Sequence, residues 1–255
     1  MNILAVGDVV SDTGCEFLKK KLPAFKRVKG IDFCIVNGEN SAVGNGITPH
    51  SAKEIFDAGA DVITTGNHVF RRKEVYTFLD ENRNIVRPAN YYANSPGRGI
   101  CECDLGYTRV AVMNLSGQLY MESCDNPFEA ADRLLAGTGC KIILADFHAE
   151  ATAEKGALGY YLDGRVSAVF GTHTHVQTSD ARVLPGGTGF ITDLGMTGVR
   201  ESVLGVKPEL SIARMRTGMP VRFEAAQGEA FMCGCIFEID EKTGKCLGTE
   251  TVCVE

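Results

Sequence analysis

Five places in this 255-residue chain set Asp, Glu, Asn or His directly after a short apolar run. They are Gly7-Asp8, Asn37-Gly38-Glu39-Asn40, Gly66-Asn67-His68, Asp146-Phe147-His148 and Gly171-Thr172-His173-Thr174-His175, and they hold four of the five histidines. Carboxylate and amide oxygens mixed with imidazole nitrogens suit manganese, iron or zinc, whereas an iron–sulfur centre or a structural tetra-cysteine zinc needs thiolate. Asp8, Glu39, Asn40, Asn67, His148, His173 and His175 are the candidate ligands. One ion takes about four to six donors, so this set with one shared carboxylate points to two ions. His68 stands beside a candidate ligand without being counted as one, and the ordinary pKa of an imidazole suits a general acid.

Each fragment alone has a plainer reading. Gly-Asp after a strand is usually a turn, and Asn-His is more often a helix cap than a ligand. Recurrence at successive strand ends is what carries the metal reading. The positioning elements follow from the hydrophobic pattern. Residues 3–6, 33–36, 62–64, 110–113, 142–145 and 166–170 are apolar at both neighbours, as buried strands are. Residues 13–22 carry Cys15, Phe17, Leu18 and Leu22 at helical spacing, Thr48-Pro49 is a cap followed by a first-turn proline, and Pro127 opens a further helix. Such alternation predicts a largely parallel or mixed sheet with its functional loops beyond the carboxyl ends of the strands. Residues 231–239 and 245–254 flank Asp240-Glu241-Lys242-Thr243-Gly244, a hairpin signal, so the chain is expected to end in antiparallel structure. With no linker, low-complexity tract or repeat, residues 1–255 are expected to form one domain.

Composition removes several classes. The 44% hydrophobic and 23% charged fractions are globular values. An excess of 32 acidic over 26 basic residues argues against long duplex nucleic acid, which needs clustered Lys and Arg. The first residues lack a basic n-region, and no stretch approaches about 18 apolar residues, so a cytoplasmic location without a membrane segment is expected. In a reducing compartment the ten cysteines read as buried thiols, and the Asn114-Leu115-Ser116 glycosylation match is idle. His50 reads as a solvated first-turn residue, and Arg71-Arg72-Lys73 as a solvated helix start with anion steering as its alternative. Gly186-Gly187-Thr188-Gly189 lacks the Lys-Ser/Thr of a phosphate loop and reads as turns around a strand, while Asn114 to Gln118 is expected to wall the substrate side.

Taken together, the five blocks resemble the motifs of the calcineurin-like metallophosphoesterases, in that superfamily's order. Two departures stand out: Asp8-Val9-Val10 lacks the usual histidine, and Gly38-Glu39-Asn40 replaces Gly-Asp-x-x-Asp. Both are shared by the YmdB-like branch, which this chain resembles nearly end to end. The matching runs include Arg87-Pro88-Ala89-Asn90-Tyr91, Asp146-Phe147-His148-Ala149-Glu150-Ala151-Thr152, Leu184-Pro185-Gly186-Gly187-Thr188 and Asp193-Leu194-Gly195-Met196-Thr197-Gly198. Val69-Phe70-Arg71 differs from the Trp-Asp pair usual in that branch.

The resemblance implies a bacterial phosphodiesterase acting on 2′,3′-cyclic nucleotides and related small phosphodiesters, in a four-layer αββα sandwich of two mixed sheets. It implies that Asp8, Glu39, Asn40 and His175 hold one ion and that Glu39, Asn67, His148 and His173 hold the other. Glu39 would bridge them, a hydroxide between the metals would attack phosphorus, and His68 would protonate the leaving oxygen. Iron or manganese is the expected metal, with zinc as a further option. A phosphomonoesterase or nucleotidase on the same fold, and a metal-bearing regulator with little turnover, stay open as alternatives. So do a short RNA as substrate and a homo-oligomeric state.

Overall fold

Side chains along the first strand already separate two cores. In Asn2–Val6, Ile3 and Ala5 face one apolar cluster and Leu4 and Val6 another, so this strand has to lie between layers. The computed structural model, which describes residues 1–255, shows two stacked mixed sheets. Across the first run Asp8–Val9, Met196–Val199, Ala230–Ile239, Asn2–Val6, Phe33–Asn37, Val62–Thr64 and Ile85–Val86, with Cys246–Val254 hairpinned onto Ala230–Ile239. Across the second run Arg182–Val183, Gly189–Ile191, Ala168–Thr172, Ile142–His148, Arg109–Ser116 and Ile100–Asp104.

Three apolar clusters fill the spaces between four layers. The central one joins Ile3, Phe33 and Ile35 of the first sheet to Val110, Leu144 and Phe170 of the second. Phe33, Phe170 and Phe237 are fully buried within it, each stabilising the sandwich by about 1.5–3 kcal/mol relative to an exposed side chain. On the outside of the first sheet, Leu18, Leu22, Ala52 and Ile55 seat the helices Ser11–Lys29 and Pro49–Asp57. On the outside of the second, Ala130, Ala131, Leu158 and Leu162 seat Pro127–Gly137 and Thr152–Tyr161. The expected αββα sandwich is what forms.

Local signals set several boundaries. Thr48 accepts from the Ser51 amide in a capping box and Pro49 opens the helix, as expected. Asn126 caps the helix that Pro127 begins. The first helix is longer than the expected 13–22 and runs through Pro23 to Lys29, because Leu18 and Leu22 anchor it and Phe25 packs on the same core beyond the proline. Gly30 then ends it in the left-handed conformation, with the Ile31 amide donating to the Lys26 carbonyl at 2.9 Å. The strand expected at 166–170 pairs instead as Ala168–Thr172, since Val166 packs under the helices and Ser167 bonds across to Ile143.

The first sheet forks beside the site. Asn2–Val6 pairs with Ala230–Ile239, but after Gly7 the chain diverges and Met196–Val199 enters between Asp8–Val9 and Ala230–Ile239. A Cβ on Gly7 would lie 2.1 Å from the Gly195 carbonyl oxygen, so only glycine permits this divergence. Asp8 follows directly and is fully buried.

Candidate active site

All eight residues singled out from the sequence meet where the carboxyl ends of the two sheets adjoin. Asp8, Glu39, Asn40, Asn67 and His68 come from the first sheet, and His148, His173 and His175 from the second. The apolar core between the sheets therefore also sets the distance between the two halves of the site. A polar tie reinforces it, since the Asn37 amide on the first sheet donates to Asp146 on the second at 3.1 Å.

Glu39 sits at the centre with no exposure. Its Oε1 lies 3.2 Å from His148 Nε2 and 3.3 Å from His68 Nδ1, it accepts from Asn40 Nδ2 at 3.0 Å, and its Oε2 accepts from the His68 main-chain N–H at 3.0 Å. Around His148 Nε2 also gather Asn67 Oδ1 at 3.0 Å and His173 Nδ1 at 3.1 Å. The ring of His148 has its other nitrogen engaged: Nδ1 lies 2.9 Å from Thr172 Oγ1, and the Thr172 hydroxyl donates to Asp146 Oδ1 at 2.7 Å. Thr172 must then accept from Nδ1–H, so Nε2 turns its lone pair toward three further lone-pair atoms. Such a convergence has one proton at most to share and fits a cation.

The second half of the site shows the same shortage of donors. Asp8 Oδ1 is buried without any hydrogen-bond partner, 3.6 Å from His175 Nε2, while Asp8 Oδ2 accepts from the His173 amide at 3.1 Å. Asn40 Nδ2 lies 3.3 Å from His175 Nε2, and Asn40 Oδ1 lies 2.9 Å from His68 Nδ1. His173 and His175 both hold positive φ, at 98° and 62°. A left-handed backbone costs a residue other than glycine about 1 kcal/mol or more, and such strain persists where surrounding contacts over-determine it. Asp193 supplies one of those contacts. It is buried against Lys155 at 2.7 Å, accepts from the Thr174 amide at 3.2 Å, and accepts from the Gly195 amide at 2.8 Å.

Charge distribution follows from burial and proximity. Burial raises Asp8 above the usual carboxylate range, and it pushes Asp146 to about 6 despite the donors around it. For Glu39 burial is overcome by the charge and hydrogen bonds of His148 and His68, which hold its carboxyl well below the usual range. His148 is desolvated too, but Glu39, Asp8 and Asp146 carry it up to about 9. Burial, followed by the His148 charge, depresses His173 to about 3. Without a metal the pocket thus keeps one proton on His148 where a cation would sit.

Several working residues escaped the sequence reading. Glu150 Oε2 lies 3.2 Å from His173 Nε2 and orients that ring so that Nδ1 faces the cluster. The Leu204 carbonyl accepts from His175 Nδ1 at 3.1 Å. Asn114, Leu115 and Ser116, expected on the substrate side, are buried, and none of residues 114–118 lines the cavity beside the candidate ligands. His50 is solvated beside Glu54, as expected. Arg72, expected at a solvated helix start, precedes the helix Val75–Glu81 and also clamps a loop at the cavity edge, its guanidinium donating to the Asn45 carbonyl at 3.0 Å and to Val43. Leu184 to Thr188 forms a turn before the strand Gly189–Ile191, as expected.

Two stacked mixed sheets, with candidate metal-binding Asp, Glu, Asn and His gathered at their carboxyl ends, define a metallophosphoesterase type of fold. The model of the YmdB-like protein family matches residues 4–252, and the chain belongs to that family. It is 44% identical over 256 residues, covering 100% of this chain and 97% of the relative, to a 2′,3′-cyclic-nucleotide 2′-phosphodiesterase of Bacillus subtilis. A solved structure of a hypothetical protein from Thermus thermophilus superposes with a TM-score of 0.94 at 40% identity, covering 99% of this chain and 98% of that one. A phosphatase from Mycoplasma pneumoniae superposes equally, at 0.94 and 32% identity, covering 100% and 93%.

Proposed function

We propose that the chain is a metal-dependent phosphodiesterase with two ions, opening 2′,3′-cyclic nucleotides and related small phosphodiesters. The observation that carries this reading is the convergence of unshared lone pairs around buried Glu39 and Asp8, with His68 beside them. The name and full-length identity of the Bacillus subtilis relative support the substrate class. Asp8, Glu39, Asn40 and His175 would hold one ion, and Glu39, Asn67, His148 and His173 the other, with iron, manganese or zinc all fitting this donor set. When bound, the ions supply positive charge that neutralises the phosphate oxygens and acidifies water.

The protein's own groups set the rest. His68 Nδ1 lies 2.9 Å from Asn40 Oδ1 and 3.3 Å from Glu39 Oε1, so in the doubly protonated ring those two acceptors hold Nδ1–H and leave the Nε2 proton to be given away. Water gives up one proton to solvent as its oxygen bonds to phosphorus, the bond from phosphorus to O2′ breaks, and His68 Nε2 gives its proton to O2′ and is reprotonated from solvent, yielding a nucleoside 3′-phosphate. Asp146 and Thr172 hold the His148 ring, and Glu150 holds that of His173, so these two rings are oriented before any ion arrives. The ten cysteines are all unpaired and no helix is long and apolar enough to cross a membrane, which suits a cytoplasmic protein formed by residues 1–255 as one domain.

A phosphomonoesterase is the second reading, favoured by the phosphatase description of the Mycoplasma pneumoniae relative. Metal-loaded protein should be assayed against 2′,3′- and 3′,5′-cyclic nucleotides, bis(p-nitrophenyl) phosphate and p-nitrophenyl phosphate. Turnover of the 2′,3′-cyclic diesters to 3′-phosphates is expected. Hydrolysis of the monoester alone would establish the second reading, and no turnover with both ions bound would leave a regulator.

A further inference from the structure

The cavity opening from the site measures about 1090 Å³, just above the range of roughly 300–1,000 Å³ that accommodates drug-sized ligands. A phosphate group fills little of that. Besides Glu39, Asn40, His68, His173 and His175, its lining includes Val43, Leu204 and Phe223, which are 62%, 46% and 46% exposed. Three large apolar side chains left open to water around one polar site call for a ligand with an apolar part.

All three are held by backbone fixed to the site. Leu204 and Phe223 belong to an excursion between the strands Met196–Val199 and Ala230–Ile239. That excursion closes on itself through Lys207 N–H to the Glu224 carbonyl at 3.1 Å and Ala226 N–H to the Gly205 carbonyl at 2.9 Å. Leu204 holds φ at 55° while its carbonyl accepts from His175, which ties the excursion to a candidate ligand. Val43 sits on the loop clamped by Arg72.

The only flat apolar part of a nucleotide is its base, and bases stack on aromatic faces without regard to their hydrogen-bonding edges. We infer that Phe223, which lines this cavity together with Leu204 and Val43, is its nucleobase-binding wall, making the enzyme tolerant of base identity. This inference rests on the phosphodiesterase reading. An apolar wall binds the base equally in ground and transition states, so its loss appears in KM and leaves kcat in place.

The test compares wild type, Phe223→Ala and Phe223→Tyr on 2′,3′-cyclic AMP, 2′,3′-cyclic CMP and ethylene phosphate, a cyclic diester with no base. Phe223→Ala should raise KM for the cyclic nucleotides roughly 5- to 150-fold, the affinity ratio of one base–aromatic stack. The purine should lose more, Phe223→Tyr should restore binding, and ethylene phosphate turnover and thermal stability should not change. An unchanged KM, or an equal loss on ethylene phosphate, would overturn the wall while leaving the diesterase reading intact. Should wild type hydrolyse no diester, that reading fails by itself; calorimetric binding of adenosine 3′-phosphate, unaffected by Phe223→Ala, would then overturn the wall separately.

Discussion

Gly66→Ala isolates how closely the site depends on main-chain position. The chain turns from the strand Val62–Thr64 toward Asn67 and His68 at this glycine, and it passes directly against two candidate ligands. A methyl group there would stand 2.3 Å from His148 Cδ2 and Nε2 and 2.4 Å from Glu39 Oε2. Ordinary contact begins at 3.4 Å, so about 1.1 Å must be found. His148 has Nδ1 tied to Thr172, and Glu39 is tied to the His68 amide, so neither yields freely. Either the imidazole and carboxylate move, or the segment carrying Asn67 and His68 lifts away. Overpacking costs about 1–3 kcal/mol, and stiffening the unfolded chain offsets about 0.4–1 kcal/mol of it. For a chain of this length the net cost lowers Tm by at most about 10 °C. Misplacement of about 1 Å costs on the order of 10²-fold in turnover, so activity should fall far more than stability. The assay is kcat/KM on 2′,3′-cyclic AMP with metal content and Tm measured on the same samples. Gly156→Ala is the control, because nothing lies within 4 Å of a Cβ in that helix, and it should leave turnover unchanged. Gly66→Ala keeping kcat/KM within threefold, with two metal equivalents bound, would refute the reasoning.

Three further outcomes are expected. His68→Ala should lower kcat by about 10²–10⁴-fold while retaining both ions, and metal analysis showing an ion gone would assign it a ligand role instead. Glu150→Gln should weaken metal binding by about 10-fold through a less well-oriented His173, and titration calorimetry finding wild-type affinity would sink that role. Because His148 carries a proton up to about pH 9 without metal, metal affinity should rise close to tenfold per pH unit between 7 and 9 and then level off. The same raised pKa stabilises the metal-free fold fully below about pH 6.5, and that contribution should be lost as pH climbs through 9. A flat affinity profile over that range would contradict the assignment.

The eight site residues were legible because each follows an apolar run, and in this fold all such ends point the same way. Buried strands announce themselves through Val and Ile, and the polar residue after them has nowhere else to go. What supports those eight was hidden for separate reasons. Lys155 lies in a helix where a lysine reads as solvent-facing, yet it is 1% exposed because Asp193, 38 positions away, neutralises it. Asp146 looks like a ligand two residues before His148, but strand alternation does not tell which neighbour it meets, and it meets Thr64, Thr172 and Asn37. Gly66 reads as a turn residue, while its necessity comes from side chains 27 and 82 positions away. Leu204 contributes a main-chain oxygen, which no side-chain pattern can show. The excursion that carries Leu204 and Phe223 has no hydrophobic period at all, since its helix Pro208–Thr217 buries only Ser211.

That excursion meets the candidate ligands through the Leu204 carbonyl, a group every amino acid possesses. Natural variation can therefore rewrite its side chains with little penalty to the chemistry beneath. If Phe223 is the base wall, inheritance of reaction and inheritance of substrate preference run on separate tracks, one written in strand ends and the other in a segment that is free to vary outside Gly205, where a Cβ would meet Val10 at 2.5 Å. Two members of such a lineage could share every metal ligand and still prefer different molecules, and grafting residues 203–226 between them would transfer the preference without the catalyst.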